Sequence, residues 1–369
     1  MKIECMDLSR QIAEHRQEFL NAVTEVIDDR AFSGGKHVKE FEKAFAAYTG
    51  TSYCCGLSSG TSALFMAMKA AGIGPGDEVI VPASTFIASA WGICYCGARP
   101  VFADCEKDTW EISPQQVEEK ITDRTKAVIG VHLYGQPFDF DTVHEIAKRH
   151  GIPVIEDCAQ SHGAVYKGRK TGSLGDIGCF SFYPGKNLGA FGEAGAVTTN
   201  NTEYYEKIEM MKNHGSSETY FHDIEGYNLR MDGIQGAVLS LKLKYLDEWN
   251  ERRQKIAACY QNGIRNMRIK KQAAPEYVQP VYHLFEVEAD DADAFIRYMK
   301  QNGVYCTRHY PVPCHLQKVF HSLGYRAGDL PNAEYHAKHC VTLPMYPELT
   351  DEEVCRIISI VNDYGNHEG

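Results

Sequence analysis

No two cysteines stand at the CxxC spacing of a paired zinc or dithiol site, and the neighbours Cys54-Cys55 and Cys94/Cys96 do not match one either. The cysteine count is odd at 13, so reduced thiols and no metal are the expectation. No apolar run is as long as a membrane span, and the N-terminus MKIECMDLSRQIAEH lacks a basic segment with an apolar one behind it. A cytoplasmic location is expected from these absences. Positive charge is also short: 38 basic against 49 acidic residues leave a net charge of -11, the wrong sign for a general binder of nucleic acid or anionic membrane. A phosphate-bearing ligand then needs a local site. Repeats and low-complexity segments are lacking as well.

What is present suits a globular chain. At 369 residues, 44% hydrophobic and 24% charged, it is long enough for one large domain and a smaller one. Apolar positions at helical spacing run from about Leu8 to Asp29, and again from about His37 to a C-cap at Gly50. Short apolar runs follow at Glu78 to Ala83, Pro100 to Asp104, Ala127 to Leu133, Pro153 to Asp157, Cys179 to Tyr183 and Ala196 to Thr199. Helical patterns separate them, which predicts a mostly parallel α/β sheet. Ser113-Pro114-Gln115-Gln116 predicts a helix start with an N-cap, a proline at the first position and a capping-box Gln. After about Leu246 the pattern changes. Charged helical sequence to about Arg268 leads to a strand at Tyr282 to Val287, a helix from Asp291 to Gly303 and a closing helix from Asp351 to Tyr364. The expected division is therefore 1–246 for the large domain, N-terminal helices included, and 247–369 for a smaller α/β unit joined by a long helix.

Three motifs carry chemistry. Ser59-Gly60-Thr61-Ser62-Ala63-Leu64 opens a helical run, so its N–H groups and hydroxyls form either a plain N-cap or an anion site. Asp157 ends the buried-type strand GIPVIEDCAQ, where open α/β sheets bind ligands. It either caps the next turn or faces a cation such as a protonated pyridine nitrogen, whose charge a carboxylate sustains. Ser181-Phe182-Tyr183-Pro184-Gly185-Lys186 presents a lysine in a turn bracketed by Pro and Gly. Lysines are normally solvated, but one fixed beside a phosphate-binding serine is a candidate imine former. The glycines of GAFGEAG precede a strand-like AVTT, and GIGPG at Gly72 likewise feeds a strand, so neither fits a dinucleotide fingerprint.

In this order the motifs resemble the sugar aminotransferases of the DegT/DnrJ/EryC1/StrS family. The resemblance includes GTSAL, VPASTFIASA, HLYGQP, the block from VIEDCAQSHGAVYKGRKTG to FSFYPGKNLGAFGEAGAVTTN, GYNLRMDGIQGAVL, HYPVPCHLQ and LPMYPEL. It implies a fold-type-I enzyme dependent on pyridoxal 5'-phosphate (PLP), with a mostly parallel seven-stranded sheet and a smaller C-terminal α/β domain. It also implies a homodimer with active sites at the subunit interface.

Carried over residue by residue, the resemblance makes Lys186 the Schiff-base lysine and proton shuttle, and Asp157 the partner of the pyridine nitrogen. Gln160 would lie near the cofactor's phenolic oxygen. Gly60, Thr61 and Ser181 would hold the phosphate, with Asn228 reaching it from the other subunit, and Phe86 would stack on the ring. Tyr183, His162, His309 and Tyr310 are candidates for the sugar pocket, and Arg230 for a donor carboxylate. The sequence departs from common family wording in SSGTSAL, GEAG and Cys158.

The implied reaction is a ping-pong transfer from L-glutamate, leaving 2-oxoglutarate and pyridoxamine phosphate, to a keto-sugar. FYPGKNLGAFG is similar to members acting on nucleotide-linked 3-keto hexoses. A 4-keto nucleotide sugar, a sugar phosphate or a cyclitol is the alternative. Lys186 argues against a dehydratase of the same family, which has histidine there, and the complete Lys186, Asp157 and Ser181 set argues against a noncatalytic sensor.

Overall fold

The computed structural model describes residues 2–365. Helices α1 (Ser9–Asp29) and α2 (Lys36–Thr49) come first, and α2 closes on Gly50 at φ 81°, a left-handed cap that glycine adopts without steric cost. Alternating elements follow: β1 (Tyr53–Leu57), α3 (Gly60–Ala70), β2 (Glu78–Pro82), α4 (Ala88–Tyr95), β3 (Arg99–Ala103), α5 (Pro114–Lys120), β4 (Thr125–Val131), α6 (Phe140–His150) and β5 (Val154–Asp157). The hairpin of β6 (Val165–Tyr166) and β7 (Arg169–Lys170) precedes β8 (Ile177–Ser181) and β9 (Gly195–Thr199). Next come α7 (Thr202–Met211), the hairpin of β10 (Ser216–Glu218) and β11 (Phe221–His222), and α8 (Gly233–Leu243).

Seven strands form the main sheet in the order β1-β9-β8-β5-β4-β2-β3. Within it β9 pairs antiparallel with β1 and β8, and every other pairing is parallel. The strands are buried on both faces, and side-chain alternation divides them between two layers. Val79, Val81, Ala127, Ile129 and Ile155 pack with α3 and α4. Ile80, Val128 and Val154 pack with α5 and α6 on the other side.

The second unit holds α9 (Leu246–Gly263), β12 (Ile269–Lys271), β13 (Val278–Gln279), β14 (Phe285–Ala289), α10 (Ala292–Gln301), α11 (Pro331–His339), β15 (Cys340–Leu343) and α12 (Asp351–Asp363). Its antiparallel sheet runs β12-β14-β15, whereas β13 pairs back onto β6. The N-terminus is shared between the units: Ile3 bridges to Val304 in the core of the second, and the Arg10 guanidinium forks onto Glu353 at 2.6 and 2.7 Å.

Three local expectations need correction. Ser113 precedes α5, but its side chain makes no cap bond, and Gln116 donates to Glu119 instead of reaching back. Helix α9 stops at Gly263 rather than near Arg268, because Asn266 turns the chain by donating to the carbonyls of Val361 and Tyr364. The strand expected from Tyr282 begins at Phe285. Tyr282 has φ +44°, and the buried Arg253 guanidinium holds the carbonyls of Tyr282, His283 and Met345 away from ladder pairing.

Candidate active site

The parallel strands β2, β4, β5 and β8 end on one side of the sheet, where the chain ends of such sheets leave a crevice. A cavity of about 600 Å³ opens there. Each strand end delivers residues to it: Thr85 and Phe86 after β2, Leu133 after β4, Asp157 and Gln160 from β5, and Ser181, Tyr183 and Lys186 from β8. The N-terminus of α3 adds Ser59, Gly60 and Thr61, and the second unit adds His283, Thr307, His309 and Tyr310.

At the α3 end a cup is built by close approach. A Cβ on Gly60 would lie 2.5 Å from the Ser181 Cβ, and one on Gly195 would lie 2.2 Å from the Ser59 carbonyl oxygen, so only glycine fits at either position. Ser59 caps the helix by accepting from the Ser62 N–H at 3.1 Å. The remaining N–H groups and the Thr61 and Ser181 hydroxyls make a small site for an anion.

Asp157 is buried and faces the cavity. Its Oδ2 accepts from the Ser89 hydroxyl at 2.7 Å and its Oδ1 from the Ala159 N–H at 3.1 Å. Burial raises its pKa, against those two bonds and the Lys186 charge. Lys186 Nζ has no hydrogen-bond or ion-pair partner among the described residues, and burial lowers its pKa to about 8 while Asp157 pulls the other way. A lysine so placed holds its amine partly free near neutrality. Phe86 is 52% exposed and its ring sits 5.5 Å from that of Tyr310, which leaves a flat apolar face on the cavity. Gln160 accepts from the Tyr134 N–H and donates to the Tyr310 hydroxyl at 3.2 Å. An anion cup, a flat aromatic, a buried carboxylate and an unpartnered lysine together fit a phosphorylated, aromatic, carbonyl-bearing cofactor.

The comparisons with known proteins agree with this geometry. A profile of the DegT/DnrJ/EryC1/StrS aminotransferase family matches residues 13–362. The chain belongs to that family. The sequence is 42% identical to the dTDP-3-amino-3,6-dideoxy-alpha-D-galactopyranose transaminase of Aneurinibacillus thermoaerophilus, over 98% of this chain and 99% of that one. It is also 42% identical, end to end, to the pleiotropic regulatory protein of Geobacillus stearothermophilus. The crystal structure of S. venezuelae DesV in complex with a ketimine intermediate superposes with a TM-score of 0.97 at 40% identity, covering 98% of each chain. NtdA of Bacillus subtilis, solved with bound cofactor PMP, superposes at 0.88 with 32% identity, covering 94% of this chain and 81% of that one.

Most of the residues singled out in this aminotransferase's sequence lie on the cavity wall: Gly60, Thr61, Phe86, Asp157, Gln160, Ser181, Tyr183, Lys186, His309 and Tyr310. Three lie elsewhere. His162 is fully buried behind Ser181, whose carbonyl accepts from its Nε2–H at 2.9 Å, and burial lowers its pKa to about 3. Asn228 is exposed and bridges to Asn213, and Arg230 donates to Asn213 Oδ1 at 2.9 Å. Sequence reasoning missed Ser89, Thr85 and His283. Ser89 sits in the TFIASA motif two residues past Ile87, and a polar residue amid an otherwise apolar helix start was the available signal. Among the described residues no helix is long and apolar enough to cross a membrane.

Proposed function

We propose that this aminotransferase uses PLP to move an amino group from L-glutamate to a nucleotide-linked keto-sugar, with the acceptor ketone at C3. The observation that carries the proposal is Lys186, unpartnered, with its pKa lowered to about 8 and Asp157 on the same wall. Bound PLP supplies an electron sink and an amino-group carrier. Lys186 Nζ would anchor the cofactor and, once released from it, would carry the donor's α-proton to the cofactor carbon that receives the amino group. Asp157, oriented by Ser89 and the Ala159 N–H, would supply the negative charge that keeps the cofactor's ring nitrogen protonated. Gly60, Thr61 and Ser181 would hold its phosphate, and Phe86 would offer its flat face to the ring.

The 3-amino-sugar names of relatives such as the Aneurinibacillus enzyme support the C3 acceptor. His309, whose pKa burial and the Lys186 charge lower to about 4, is neutral, as is Tyr310, so both suit sugar hydroxyls rather than charged groups. The half-exposed Phe86 and Tyr183 at the mouth, and Asn228 facing outward, support a homodimer in which Asn228 completes the partner's phosphate site.

The test is the absorption spectrum of purified protein with PLP, before and after L-glutamate. A visible band that forms and is then discharged by glutamate is the expected result. A band that glutamate leaves unchanged removes the donor assignment, and no band removes the role of Lys186. A ligand sensor, suggested by the likeness to the Geobacillus regulatory protein, would bind PLP and fail to turn over any keto-sugar.

A further inference from the structure

Directly after Lys186 in the chain, Asn187 enters a buried hydrogen-bond chain whose direction is fixed at backbone carbonyls. Asn250 Nδ2 donates to the His162 carbonyl at 2.8 Å, so Asn250 Oδ1 is an acceptor. Asn187 Nδ2 donates to that Oδ1 at 2.9 Å and to the Val281 carbonyl at 3.1 Å, which leaves Asn187 Oδ1 facing His283 Nδ1 at 3.1 Å. An amide oxygen cannot donate, so His283 carries its proton on Nδ1. Its Nε2 therefore presents a lone pair. That atom has no protein partner among the described residues, it is not among the buried unsatisfied atoms, and His283 lies on the cavity wall.

Burial, the nearby Lys186 charge and the Arg253 guanidinium on its backbone carbonyl all hold His283 neutral. The titratable groups on the wall with it are Cys5, Asp157, Tyr183, Glu193, His309 and Tyr310, and among the described residues Lys186 is the one cationic side chain lining the cavity. A fixed acceptor and an unpartnered cationic donor share one wall.

We propose that His283 is a positioning residue for Lys186: its Nε2, held as an acceptor by the Asn250–Asn187 chain, is the atom to which the free lysine turns from its present, unpartnered rotamer to give an N–H. This rests on the role given to Lys186 above. An N–H given to that acceptor limits the orientations open to the rest of the amine. It also ties the catalytic turn to α9, since Asn250 and Arg253 stand one helical turn apart and hold Asn187 and the His283 segment respectively.

The test uses cofactor-free protein, so it does not depend on PLP chemistry. An acceptor favours the ammonium over the amine, and losing it lowers the lysine pKa by about one unit. Competitive labelling of Lys186 against pH should show that drop in His283→Phe and its recovery in His283→Gln, whose amide oxygen can accept. In the wild-type protein, nitrogen NMR of the His283 ring should show a proton on Nδ1 and a bare Nε2 well below the pH at which a free imidazole titrates. This measurement stands even where His283→Phe does not fold. An unchanged Lys186 profile, a proton on Nε2, or a loss confined to the keto-sugar KM would each overturn the proposal. A normal labelling shift in a protein that forms no visible band with PLP would instead refute the cofactor role of Lys186 and leave the contact standing.

Discussion

Glu156 and Asp157 are neighbours at the end of β5, both buried, and they do opposite work. Strand alternation sends Glu156 to the side of Val154, under α5 and α6, and Asp157 to the side of Ile155, under α3 and α4. Glu156 is saturated: it accepts from the N–H groups of Gly172, Leu174 and Gly175 at 2.8 to 2.9 Å and pairs with His132 at 2.9 Å. Asp157 has two donors and an open face on the cavity. One carboxylate spends its lone pairs on holding a loop, and the other keeps some for a ligand. A buried charge is functional where its partner set is incomplete, not where it is merely buried.

The contrast can be broken at three depths. Lys186→Ala removes the group proposed to move the proton and should lower turnover by about 10⁴-fold, with the thermal midpoint essentially unchanged because a lysine of lowered pKa is no stabiliser. Asp157→Asn should cost about 10³-fold in turnover and weaken PLP binding, again without loss of stability. Since burial raises the Asp157 pKa above its unfolded value, the folded state binds the proton more readily. The strain of the ionised form is present above that pKa and relieved as pH falls through it. Cofactor-free wild type should therefore gain stability relative to Asp157→Asn on acidification. Unequal unfolding curves of the opposite sign would show that Asp157 is paired.

Glu156→Gln reverses the pattern. A neutral amide cannot serve three N–H groups and His132 at once, so unfolding in urea should reveal a loss of about 3 kcal/mol. The folded fraction should keep most of its turnover. A stable but inactive Glu156→Gln would mean that both acids belong to the site.

The position of Asp157 was legible because a strand-end acid in an alternating α/β pattern has few places to go. The residues Ser181 to Lys186 were legible for the same reason. Which of the two acids faces the ligand was not fixed by local pattern, since both faces of β5 are buried and an apolar strand shows no amphipathic sign. The resemblance supplied it. Contacts made across long sequence separations were hidden: Ser89 meets Asp157 over 68 residues, and Arg253 bends the Tyr282–His283 segment from a helix that reads only as charged and solvated. His162 for the sugar pocket and Arg230 for a donor carboxylate were weaker candidates than His309, and packing places both off the wall.

The smallest effect tests the support of Asp157 rather than the residue itself. Ser89 Oγ gives its one proton to Asp157 Oδ2, so the 2.8 Å contact with Thr85 Oγ1 must run from Thr85 to Ser89. Ser89→Ala therefore removes one of two donors to the carboxylate while leaving the Ala159 N–H in place. A hydrogen bond to a charged group is worth about 1.5 kcal/mol, so turnover should fall about tenfold, and the acid limb of its pH profile should move upward by about one unit because the ionised form has lost support. Thr85→Val, which touches Asp157 only through Ser89, should give a smaller shift in the same direction. If Ser89→Ala leaves the acid limb in place, the carboxylate is held by the backbone alone, and its difference from Glu156 lies in the open face and not in its donors.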